Sequence, residues 1–272
     1  MSTLTHLPAE GVSHPASGGA LTRAIDRWIY VFMAASFIVY TLVGFLPDSL
    51  MKMAAVEAGE RPPFPAVLHV HSLLMGAFLL LLLAQTTLMA TGRKQLHQTL
   101  GIAGIALGPA LVIVGFILVP TMYHQVWNGM QAAPPPVAAA MQDGLRNFDN
   151  IMLIQTRIGI LFPIFLAIAL LARRTDAGLH KRMMLLSIAP ALPAAFDRMT
   201  WLPTTLPASP LAPDLYTIAA IAPMLLWDLY RTRTLHKAYV IWFSLFVGAG
   251  VVVHLLWNTG WWHATAPKLV GL

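Results

Sequence analysis

The residues able to do chemistry are those that interrupt long apolar runs. His71, Gln155, Arg157, Asp197, Arg198, His254 and Asn258 each stand in or at the edge of such a run. Ionisable side chains are expensive in hydrocarbon and mark functional pockets by default. The imidazoles of His71 and His254 are candidate ligands for a haem iron or a divalent metal. Arg157 and Asp197 carry the charges for a buried ion pair. Arg157 or Arg198 alone suits a haem propionate, a lipid phosphate or a quinone oxygen. His69 is two residues from His71, about 200° round a helix, and is expected to face elsewhere. His124 and His263 are expected to lie in water. A possible second site comes from His97, His180 and His236, with Gln85 below them. Each of these His follows a Leu at a basic turn. Dense cations repel a bare divalent metal there and suit haem propionates or an anionic lipid head group. A haem on one of these His would give an electron path across the membrane.

The elements that position these groups follow from composition. Of 272 residues, 57% are hydrophobic and 10% charged, and mean hydropathy is +0.69. Soluble domains carry about 25% charged residues. The chain therefore reads as an all-α polytopic membrane helix bundle, not a disordered chain, a fibre or a nucleic-acid module. Its net charge of +6 sits in short turns. Cys is absent, which excludes disulfides, thiolate zinc, iron–sulfur clusters and covalently attached c-type haem.

A bilayer core takes about 20 apolar residues per helix. Seven stretches qualify: Trp28–Leu46, Ala66–Ala90, Leu96–Val119, Asn150–Ala172, Met183–Leu202, Asp214–Tyr230 and Ala238–Trp257. The expected organisation is a cytoplasmic tail over 1–27 without a cleaved leader, a seven-span bundle over 28–258 and an outer tail over 259–272. Eleven Lys and Arg fall in one set of connecting segments and four in the alternating set, with Arg157 and Arg198 inside spans. By the positive-inside rule the N-terminus is cytoplasmic and the C-terminus outside. Pro47–Pro65 and Pro120–Asp149 read as long outer loops, the second with a short helix near Val137–Asn147. Pro190 and Pro193 predict a kink just before Asp197.

With that orientation His71, Gln155, Arg157, Asp197, Arg198 and His254 share one slab, roughly 5–10 Å below the outer interface. Several helices spending desolvation free energy at one depth points to a shared pocket. No Walker loop, dinucleotide fingerprint, His-Glu-x-x-His stretch or Gly-x-Ser-x-Gly turn occurs.

The stretch His69-Val-His71 through Thr91-Gly92-Arg93-Lys94-Gln95-Leu96-His97-Gln98-Thr99-Leu100-Gly101 resembles helical hairpins of uncharacterised bacterial multi-span membrane proteins. These in turn resemble haem-b-bearing membrane cytochromes. Gly178-Leu179-His180-Lys181-Arg182 echoes the pattern more weakly. The resemblance implies haem binding and electron transfer to or from quinone, and it marks only His71 and His97; the partners His254 and His180 come from depth. The expectation is thus a protein of the bacterial inner membrane, with lipid and a quinone or redox partner and no nucleic acid. It would hold haem b or a metal for membrane redox chemistry. The alternative is a non-redox membrane protein: a transporter, an assembly factor or a zinc-dependent lipid hydrolase.

Overall fold

The structure, a computed structural model, describes residues 19–272. The reading of residues 1–18 as a tail without a leader lies outside the described residues. The rest of the expected tail is already helix, because α1 begins at Ala20. The α-helices are α1 (Ala20–Glu57), α2 (Ala66–Ala90), α3 (Lys94–Ala132), α4 (Pro135–Ala172), α5 (Ala177–Leu186), α6 (Pro193–Phe196), α7 (Leu211–Thr232), α8 (Lys237–Leu256) and α9 (Gly260–Leu269). A 3₁₀ turn over Ala189–Ala191 separates α5 from α6. No strand occurs among the described residues. Helices α1, α2, α3, α4 and α8 are long and apolar enough to cross a membrane, as an integral membrane protein requires.

Two ends can be told apart. The basic end carries the turns α2–α3, α4–α5 and α7–α8, rich in Lys and Arg. Gly92 (φ +77°) and Arg233 (φ +56°) reverse the chain there. The opposite, distal end is extended. Helix α3 has 39 residues, and α1 and α4 have 38 each. At 1.5 Å per residue each is close to 60 Å, twice a hydrocarbon core of about 30 Å. The surplus turns of α3 and α4 lie at the distal end, and those of α1 at both ends. The two long loops expected from sequence are therefore mostly helix, and only residues 58–65 and 133–134 remain as connections. Pro135 and Pro136 occupy the first turn of α4, where a missing N–H costs nothing. The expected short helix near Val137–Asn147 is the start of α4.

The extensions have a core of their own. Tyr123, Met130, Leu145, Met152 and Leu153 bury against Trp257, Trp262 and Ala266, the last two on α9. The expected outer tail is thus docked structure. The main core joins Phe37, Phe78, Phe165, Met183, Leu186, Trp242 and Phe246. Helix α4 is its central member: 44% of its apolar window is buried, against 11% for α3.

The expected fifth span, Met183–Leu202, is broken. Pro190 and Pro193 cannot donate backbone hydrogen bonds, and the chain passes from α5 through the 3₁₀ turn to α6. Irregular backbone at membrane depth survives only inside protein, and Ser187, Ile188, Ala189, Leu192 and Pro193 are all buried. The Trp242 indole donates to the Leu186 carbonyl at 3.0 Å, and the Ser187 hydroxyl to the Met184 carbonyl at 2.8 Å. Helix α1 closes over α6 at Gly44, where a Cβ would stand 2.3 Å from the Ala195 carbonyl oxygen.

Candidate functional site

Three of the polar clusters among the described residues bear on the candidate side chains. The first is distal. Arg157 of α4 is 3% exposed and makes a two-pronged ion pair with Asp214 in the first turn of α7, at 2.8 and 2.5 Å. The Phe246 ring lies 4.8 Å from the guanidinium carbon. Gly250, one turn along α8, leaves the pair room: a Cβ there would meet Arg157 Nη1 at 3.4 Å. One further turn along, His254 brings Nε2 to 3.7 Å from Asp214. The carboxylate facing Arg157 is thus Asp214, and the expected pairing with Asp197 is corrected. Asp197 is exposed beyond α6, because the break turns the chain outward before it. Arg198 pairs instead with Asp48 of α1 at 3.2 Å, donates to the Ala194 carbonyl and lies over the Phe45 ring.

His71 and Gln155 lie near this cluster in depth. The rings of Phe78 (α2) and Phe162 (α4) meet at 5.5 Å. His71 and Gln155 each precede those rings by seven residues, two turns, on helices that run the same way. His71 Nδ1 and Gln155 Oε1 are both buried without a hydrogen-bond partner, as is Arg157 Nε. Yet α2 packs mainly against α1 and α3, and α8 against α4 and α5, so His71 and His254 stand on helices that are not principal neighbours. Asn258 leaves the membrane slab and clasps Asn150: Asn150 Nδ2 donates to Asn258 Oδ1 at 2.6 Å and Asn258 N to Asn150 Oδ1 at 3.1 Å. His69 is exposed.

The second cluster mirrors the first at the basic end. Arg182 of α5 pairs with Asp228 of α7 through two 2.7 Å contacts and donates to the Gly178 carbonyl at 2.9 Å. The Tyr239 hydroxyl of α8 also donates to Asp228. Asp214 and Asp228 are 14 residues apart on α7, about four turns, so one helix is bolted by an arginine at each end. His236 caps α8, with Nδ1 accepting from Ala238 N, and neighbours Arg182 rather than the other two histidines. Burial holds its imidazole below the usual range.

The third cluster joins His97 of α3 and His180 of α5. Their ring centroids are 6.4 Å apart with planes at 79°. His180 Nδ1 lies 2.8 Å from the Ala169 carbonyl. A carbonyl only accepts, so Nδ1 carries the proton and Nε2 keeps a free lone pair. His97 Nδ1 is buried without a hydrogen bond. Both polar atoms of the Gln85 side chain are likewise buried and unpartnered, and Gln85 adjoins Gly101, one turn beyond His97. His97 and His180 are the residues that would hold a haem iron at this end, and such a group would supply a one-electron couple. Among the described residues no three of His, Asp and Glu gather as a metal site.

Sequence reasoning missed Asp214 and Asp228, although they are the two acidic residues inside an apolar helix. It also missed Asp149, which is 3% exposed and accepts from the Tyr123 hydroxyl at 2.6 Å. His263 Nδ1 is 2.8 Å from the same carboxylate, and His124 Nε2 is 2.8 Å from the Val270 carbonyl. Neither histidine is free in water, because the helical extensions supply packed partners. No protein-family model, curated protein or solved structure matches the chain.

Proposed function

We propose that this chain is an integral membrane electron-transfer protein that holds one haem b between His97 and His180. The observation that carries the proposal is that histidine pair: two imidazoles from different helices with ring centroids 6.4 Å apart, one with its tautomer fixed by a backbone carbonyl. A haem bound there supplies a one-electron couple. The Ala169 carbonyl orients His180 and raises its basicity as a ligand. Arg93 and Lys94 sit at the start of α3 and Arg173 and Arg174 follow α4, so cations for propionates flank the pair. Quinone is the proposed redox partner, because it shares the hydrocarbon phase.

The same reading counts seven spans, with the broken α5–α6 segment and α7 joining the five long helices. It places the basic end in the cytoplasm of a bacterium and the distal extensions outside its inner membrane. The alternating Lys and Arg distribution supports this orientation. His71 and His254 do not ligate the haem here. His254 faces Asp214 instead, beside Arg157. A transporter reading gains little from the break at Ser187, since the freed groups are already spent on Trp242 and Met184.

Substitution of the ligands tests the proposal. His97→Ala and His180→Ala should each abolish the reduced-minus-oxidised haem spectrum of purified protein. His71→Ala and His254→Ala should leave it. Loss of the spectrum in the second pair alone would overturn the assignment.

A further inference from the structure

We propose that a cleft between α1, α5 and α7 at the basic end binds the phosphodiester head group of one anionic phospholipid. The cleft encloses about 520 Å³, the scale of a small-ligand site. Its walls include Asp26, Tyr30, Lys181, Arg182, Trp227 and Arg231. Both carboxylates that face it are already neutralised. Asp26 accepts from Arg231 at 2.9 and 3.1 Å and from the Trp227 indole at 2.9 Å. Asp228 is held by Arg182 and Tyr239. Lys181 is different. Its ammonium rests on the Tyr30 ring at 4.6 Å, and no carboxylate among the described residues pairs with it.

Three cations against two carboxylates leave one positive charge, which matches the single negative charge of a phosphodiester. A zwitterionic head group fits less well, because its ammonium would find both carboxylates saturated. The cleft opens beside exposed Leu226 and Tyr230 of α7, where acyl chains can continue along the bundle. That apolar flank favours a lipid over free phosphate, which shares the recognition chemistry. The site is independent of the haem.

Native mass spectrometry of the delipidated full chain, titrated with phosphatidylglycerol, tests this. One phosphatidylglycerol should bind per chain in preference to phosphatidylcholine. Lys181→Gln should weaken it about fivefold, the effect of one lysine near a charged surface. Arg233→Gln, an exposed cation on the outside of Tyr230, should leave it unchanged. Equal binding of phosphatidylcholine overturns the proposal. So does an equal loss in Arg233→Gln, which would mark diffuse surface charge. Displacement of the lipid by millimolar inorganic phosphate would identify free phosphate as the occupant and overturn the lipid assignment.

Discussion

Asp214→Asn should destabilise the protein more than Arg157→Met, although both break the same ion pair. The side chain of Arg157 is 1% exposed and that of Asp214 11%. Removing the carboxylate strands a buried guanidinium over Phe246, with no other acid paired to it among the described residues. Breaking a buried pair in this way costs about 3–5 kcal/mol. Removing the arginine strands Asp214, but the His254 imidazole is 3.7 Å away with its side chain 34% exposed, and a ring N–H can turn to the carboxylate. Met also keeps apolar contact with Phe246. The expected cost is nearer that of one unmet hydrogen-bonding group, about 1–3 kcal/mol. Replacing both residues with Met and Leu should recover most of the loss, since apolar isosteres of buried pairs are often neutral. Thermal and detergent unfolding followed by tryptophan fluorescence reads all four proteins. Equal losses in the two single variants would refute the role given to His254.

Three further outcomes follow from other parts of the fold. Gly44→Val should cost at least 1–3 kcal/mol or prevent folding, because its Cβ meets backbone of α6 that cannot swing aside; yield and unfolding midpoint read this. Trp242→Phe should cost about 1–3 kcal/mol by leaving the Leu186 carbonyl unmet in the core, read by the same unfolding assay. The basic end should weaken in acid in two steps. Burial holds His236 below its ordinary value, and the Lys237 ammonium and Leu179 N–H hold Asp176 below its own. Both groups therefore contribute stability at neutral pH that is lost as pH falls, His236 first below about 6.5 and Asp176 below about 4. His236→Asn keeps a cap acceptor and should remove only the first step from a melting-versus-pH curve.

Membrane character was legible because hydrocarbon imposes a uniform rule on every span. Position within the bundle was not. Pro190 and Pro193 announced a disturbance, but a break was distinguishable from a kink only once Trp242 and its neighbours supplied the interior that tolerates it. Pro47 and Pro120 suggested loops, yet helix continues through both; beyond Pro120 the distal core packs the added turns. Arg157 stood out as an intramembrane charge, while its partner was assigned to Asp197 by depth alone. Asp214 sits at the very start of its span, where acids are cheap and attract no notice. His97 and His180 were visible as a repeated Leu-His texture at basic turns. Their approach depends on how α3 and α5 sit around the end of α4, which spacing along the chain does not encode.

The most direct measurement is iron content together with the absorption spectrum of the wild-type protein, purified in mild detergent from a haem-replete host. One iron per chain, a Soret band and the low-spin spectrum of two imidazole ligands are expected. Colourless, iron-free protein that is folded by its unfolding transition would contradict this expectation.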